Sequence, residues 1–170
     1  MSINIFSDTY LSSLILEAKA SHRLRQHRNI HSSFDDNCQR LMNAICIGSY
    51  IAPHRHHLDP RNECLIAVRG LFAAIIFDNL GQIDQIEFFG TQEIENVSVG
   101  LELPSETWHT VLAMVENSVL FEVKEGPFDP DQAKEFAPWA PSENNSEADA
   151  YYSKLMVLCQ QQLTQASAFS

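Results

Sequence analysis

Between Leu41 and Val123 the chain breaks into seven short runs in which apolar residues are continuous or alternate: Leu41 to Ile47, Cys64 to Val68, Leu71 to Phe77, Gln82 to Phe89, Val97 to Leu103, His109 to Val115 and Val119 to Val123. Runs this short, bounded by turn formers, have the length and period of strands rather than helices. Asp78-Asn79-Leu80-Gly81 predicts a hairpin across 71–89, and Glu116-Asn117 marks the turn before the last run. Many short strands within 170 residues leave a narrow choice of a sandwich, a barrel or a jelly roll.

The flanks differ in texture. Leu11, Leu14, Ile15 and Ala18 recur at helical spacing after Ser7 and Asp8, either of which would cap a helix. Residues 1–35 are therefore read as an N-terminal helical segment packed on a barrel formed by residues 36–125. Residues 126–145 are too rich in proline for ladders and read as an ordered strap, with Phe128, Phe136 and Trp139 expected to be buried. Ala148, Tyr152, Leu155, Met156 and Cys159 then predict a C-terminal amphipathic helix within 146–170, with Ser146 and Asp149 as a capping pair. It would either close the barrel or sit between subunits. The whole is one domain.

Charge excludes some functions. The chain carries −11, and its distribution is uneven: 8 basic and 6 acidic side chains before Gly70, 3 and 16 from Gly70 onward. An acidic chain lacks the basic face that grips nucleic acid, so no nucleic-acid partner is expected. The local basic surplus lies with six of the seven histidines and would suit a small anionic ligand. No apolar run approaches the length of a membrane span, and the first residues do not read as a secretory signal, so no membrane partner and a cytoplasmic location are expected. Cys38, Cys46, Cys64 and Cys159 lack metal-finger spacing and read as reduced packing residues.

Chemistry concentrates in two places. In Gly48-Ser-Tyr-Ile-Ala-Pro-His54-Arg-His56 the two imidazoles, two residues apart on extended chain, point to the same side and suit one ion. Glu63 follows at a strand start, with Leu65 and Ala67 sharing its inward face, and Gly70 ends that strand. Far along, Leu103-Pro104-Ser105-Glu106-Thr107-Trp108-His109 brings in a third imidazole. Tyr50 has the parity of His54 and would be a core residue or a pocket wall. Arg25 and Arg40 are candidates for an ion pair or for gripping an anion.

These segments resemble the two motifs of cupins. The chain as a whole looks like the WbuC family of cupin-fold metalloproteins, associated with bacterial O-antigen and other surface-polysaccharide gene clusters. The likeness runs through Arg25, Asn29, His31, Gln39-Arg40-Leu41, Pro53 to His56, Thr107 to Thr110, Phe121 to Lys124 and Phe136 to Pro141. It implies an all-β double-stranded β-helix with flanking helices and one divalent metal, Zn, Fe, Mn, Ni or Co, held by His54, His56, Glu63 and His109. Arg25, Asn29, His31, Arg40 and Tyr50 would line the substrate pocket. Six residues separate His56 from Glu63, longer than usual in the first motif, so His57 or Asp59 could replace Glu63. Glu106 stands where the second motif has glycine, which predicts backbone strain there. A homodimer is expected, since cupin barrels often pair.

Three functional readings follow: a metal-dependent enzyme (isomerase, epimerase or oxygenase) acting on a small polar or sugar-related molecule, a non-catalytic metal and carbohydrate-binding module, and a metal-free cupin epimerase using His54 with a carboxylate.

Overall fold

The computed structural model describes residues 3–92, 94 and 96–168; residues 1–2 and 169–170 of the terminal segments lie outside the described residues. Ser7 caps the first helix, α1 (Asp8–Ala20), by accepting from the Tyr10 N–H at 3.2 Å, and Asp8 places a negative charge on its first turn. The chain then forms ten strands and a final helix: β1 (Arg25–Asn29), β2 (Cys38–Ile45), β3 (His54–Arg55), β4 (Glu63–Arg69), β5 (Leu71–Phe77), β6 (Ile83–Gly90), β7 (Gly100–Leu103), β8 (Trp108–Ala113), β9 (Ser118–Glu125), β10 (Glu135–Phe136) and α2 (Ala148–Ala168).

Two five-stranded antiparallel sheets face each other, ordered β1-β2-β9-β4-β7 and β10-β3-β8-β5-β6. Apart from the neighbouring pairs β1–β2 and β5–β6, successive strands alternate between the two sheets, which is jelly-roll topology. The predicted hairpin forms as β5 and β6, and the Asp78 carboxylate accepts from the Leu80 and Gln82 N–H groups at 2.8 Å each. Gly70 turns β4 into β5 at φ +85°, where a Cβ would lie 2.9 Å from Ser118 Cα, so both conformation and space require glycine.

Strand alternation sorts side chains into three apolar layers. Ile45, Leu65, Ala67, Phe72, Phe89, Val111, Ala113 and Leu120 meet between the sheets, with Phe72 and Phe89 stacked at 5.1 Å. Outside the first sheet, α1 lays Leu11, Leu14, Ile15 and Ala18 on Met42, Ala44, Cys46 and Val119. Outside the second, α2 lays Leu155, Met156 and Cys159 on Ala73, Ile75, Phe77, Trp108 and Leu112. The C-terminal helix thus covers a sheet face. No helix among the described residues is long and apolar enough to cross a membrane.

Four expectations need correction. Residues 25–29, assigned to a helical segment, form the edge strand β1, because the apolar stripe of α1 stops at Ala18 and the chain turns at Ser21. Cys38 is exposed at the start of β2 and Cys64 half-buried, so only Cys46 and Cys159 are packing residues; all four are free thiols. Phe136 is 58% exposed, while Trp139 packs on Phe77 and Trp108 as expected. Glu106 is unstrained: among the described non-glycine residues only Leu24, Asn96 and Asn117 take positive φ.

Candidate metal centre

His54 on β3 and His109 on β8 are register partners, so their rings start side by side on neighbouring strands. His56, one step beyond β3, has its backbone N–H on the Ser105 carbonyl at 2.7 Å, which ties the first histidine pair to the loop carrying the third. The ring centroids are 4.5 Å (His54–His109), 5.4 Å (His54–His56) and 5.7 Å (His56–His109) apart, and one nitrogen from each ring lies within 4.8 Å of the other two. Metal–nitrogen bonds of about 2.0–2.1 Å put two ligands of one ion no more than about 4.2 Å apart, so a sub-ångström contraction brings the three onto one ion.

The proton positions follow from the outer hydrogen bonds. Nδ1 of His54 meets the Ala52 carbonyl at 3.0 Å, Nδ1 of His56 the Ala133 carbonyl at 2.6 Å, and Nδ1 of His109 the Thr107 carbonyl at 2.8 Å. A carbonyl oxygen can only accept, so each Nδ1 carries a proton and donates it. A neutral ring then presents Nε2 as a bare lone pair. Burial, with the nearby Lys134 charge, holds His54 well below the ordinary imidazole range, so it stays neutral. Nε2 of His56 is buried without a hydrogen-bond partner.

Glu63, 5% exposed, opens β4 with its carboxylate on the same spot: Oε2 lies 3.3 Å from His109 Nε2 and 3.5 Å from His56 Nε2. Lone pairs and a carboxylate oxygen facing one another repel unless a cation lies between them, and Nε2 donors with carboxylate oxygen suit a divalent ion. The outer carbonyls are the kind of support that fixes ring orientation in such centres.

The longer connection after His56 does not displace Glu63. His57 is half exposed and 3.1 Å from Glu106, and Asp59 pairs with Arg61 at 3.0 Å and Lys124 at 3.6 Å rather than with the histidines.

The proposed pocket residues divide. Asn29 and His31 line a cleft of about 630 Å³ that also reaches His56 and Glu63, and a smaller inner chamber of about 250 Å³ touches His54 and His109. Arg25 edges the inner chamber but is spent on structure: its guanidinium grips both oxygens of Glu143 at 2.6 Å and donates to the Tyr50 carbonyl at 2.9 Å. Arg40 lines neither space; it pairs with Asp36 at 3.2 Å and donates to the Cys38 carbonyl at 3.1 Å. Tyr50 also lies outside both, packed with Ala52, Ala148 and Tyr151, its hydroxyl donating to the Pro141 carbonyl at 2.8 Å. Parity failed for Tyr50 because the chain from Gly48 to Pro53 is not a strand.

Four lining residues were missed: His27, Glu122, Lys124 and Lys134. Glu122 and Lys124 share the inward parity of Leu120 on β9, and charges at core parity were the available signal. Burial, reinforced by the Glu63 charge and hydrogen bond, pushes the Glu122 carboxyl well above its ordinary range. His27 lies on β1 at the cleft wall, exposed to solvent. Partial desolvation by the cleft, with the charges of Lys134, Arg25 and Arg23, lowers its pKa to about 4.

A family model described as a domain of unknown function (DUF6016) matches residues 6–88, a stretch that includes His54, His56 and Glu63 and ends before His109. No curated protein matches in sequence. Among solved structures, protein SO0799 from Shewanella oneidensis is similar at 12% identity and TM-score 0.55, over 79% of this chain and 83% of that one. KdgF from Halomonas sp. is similar at 15% identity and TM-score 0.47, over 63% and 83%. Oxalate decarboxylase from Bacillus subtilis is similar at 16% identity and TM-score 0.49, over 66% of this chain and 27% of the enzyme, so the chain spans about a quarter of its length. With two facing antiparallel sheets in jelly-roll order and three histidines gathered between them, the fold is that of a cupin.

Proposed function

We propose that this protein is a divalent-metal cupin in which His54, His56, Glu63 and His109 hold the ion and the adjoining cleft holds a small polar, anionic or sugar-related molecule against it. The observation that carries this is the set of three Nδ1–carbonyl hydrogen bonds, which leaves three Nε2 lone pairs and a carboxylate oxygen converging on one point. The sequence likeness to the WbuC family supports a role in bacterial surface-polysaccharide synthesis.

A bound divalent ion would supply Lewis acidity toward a carbonyl, hydroxyl or carboxylate oxygen. The chain supplies the rest. The carbonyls of Ala52, Thr107 and Ala133 fix the rings, Glu122, its carboxyl pushed well above the ordinary range, stands at the cleft wall as a candidate proton carrier, and Phe34 and Phe128 line one side. The metal-free reading pairs His54 with a carboxylate as acid and base, but the buried carboxylate at the site, Glu63, has its close contacts with His56 and His109.

Elemental analysis of protein purified without added metal tests the proposal, with about one ion per chain expected and less than about 0.2, without uptake on titration, overturning it. His54→Ala should lose the ion and keep the far-ultraviolet dichroism of the barrel, since the apolar core does not include this ring.

A further inference from the structure

The cleft lining includes two buried polar side-chain atoms without a hydrogen-bond partner. Lys124, 5% exposed, has its Nζ 3.6 Å from Asp59 Oδ2, beyond hydrogen-bond distance, while the other Asp59 oxygen is taken by Arg61 at 3.0 Å. His31, 7% exposed, leaves Nε2 unpartnered. Its tautomer can be derived. His31 Nδ1 lies 2.9 Å from both the Arg40 carbonyl oxygen and the Arg40 nitrogen; the Arg40 N–H can only donate, whereas the carbonyl already accepts from the Ile30 N–H at 2.8 Å. Nδ1 is therefore the acceptor, and Nε2 carries the proton as a donor.

A buried ammonium and a buried N–H donor without acceptors are costly unless an acceptor arrives, and each lines the cavity that reaches His56 and Glu63. Two other polar groups here are engaged: Arg28 pairs with Glu17 at 2.7 Å, and the Gln39 amide donates to the Phe34 and Asp36 carbonyls. Lys134 adds a second cation at the rim. With a divalent ion, Lys124 and Lys134 set against Glu63, Asp59 and even an ionised Glu122, the cleft remains positive within a chain of −11.

We propose that Lys124 and His31 are the anion-binding end of this cleft, and that the ligand is a small organic acid whose carboxylate or phosphate accepts from Lys124 Nζ and His31 Nε2 while its remaining polar atoms face the metal centre. Phe34 and Phe128, 5.1 Å apart, wall the space around it. A cavity of this volume is in the range that encloses small organic molecules. The assignment rests on the metal reading for the ligand's other end; the Lys124 and His31 grip does not.

Calorimetric titration of the full chain, as purified, with inorganic phosphate and with succinate tests it, metal content being measured on each sample. Lys124→Met, which keeps the length of the side chain, should weaken the better probe by about tenfold or more with metal content unchanged; His31→Phe should weaken it by about threefold. The stronger of the two probes identifies phosphate or carboxylate as the group recognised. Unchanged affinity in Lys124→Met overturns the proposal, as does failure of both probes to bind the wild type. Loss of metal together with the anion in Lys124→Met also overturns it, since Lys124 would then act on the centre. If the wild type holds no metal, the metal reading fails, and the same comparison on metal-free protein still decides the anion grip.

Discussion

The floor of the barrel and its mouth are made from the same strands. On β9, Leu120 faces the apolar core, while Glu122 and Lys124, two and four residues on, face the cleft. On β4, Leu65 and Ala67 lie in the floor and Glu63 in the mouth; on β8, Val111 and Ala113 lie in the floor and His109 in the mouth. Inward parity is unbroken along each strand, and only the chemistry changes, over about 6.6 Å per inward step. The floor carries the stability, at about 1.5–3 kcal/mol per buried large apolar side chain. Polar groups that would cost stability in the floor are tolerated one step away because each has a carbonyl, a carboxylate or the cleft to face.

This division can be broken at either end. The largest effect is expected from Phe72→Ala in the floor, about 3–5 kcal/mol of lost stability in denaturant titration. Metal content of the folded fraction should not change, and a parallel loss of metal would show that the two ends are not separable. Glu63→Gln in the mouth should cost at least about tenfold in metal affinity, read by competition with a chelator, and leave the denaturant midpoint of metal-free protein within about 1 kcal/mol of wild type. Unchanged affinity would remove Glu63 from the ligand set.

The smallest effect concerns acid. His27 is neutral in the fold down to about pH 4, whereas an unfolded imidazole binds its proton near 6.5. Between those values the unfolded chain holds more protons, so stability of chelator-treated protein falls as pH drops through that window. Because the ring still reaches water, its share should stay under about 1 kcal/mol. His27→Gln should flatten the fall in melting temperature between about pH 6.5 and 4.5, and an unaltered slope would mean that this ring does not titrate differently on folding.

The strands and the three histidines were legible because both depend on local spacing: alternation for β4, β5 and β8, and the two-residue step from His54 to His56. Glu63 was legible through parity with Leu65 and Ala67. What was not legible depends on partners distant in sequence. Arg25 reads equally as an ion pair or an anion grip until Glu143 is placed beside it, and Tyr50 as core or pocket wall until Pro141 takes its hydroxyl. His27 is exposed on β1, and its place at the cleft wall was not legible until that strand joined the sheet edge. Lys124 was hidden by its type, since lysine in a strand normally signals the wet face.

The hydrogen bond from His56 to Ala133 joins the centre to a segment that contributes no candidate ligand. That residue lies just before β10, which is two residues long and held on β3 by Arg55–Glu135 at 2.7 Å and by the pairing of Phe136 with His54. Displacing this short hem would remove the hydrogen bond that fixes the His56 ring, so a stretch of chain that supplies no candidate ligand would set how firmly one imidazole is held. A protease nick or a docking protein at residues 131–136 would thus be felt as leakage from a vessel whose walls were intact.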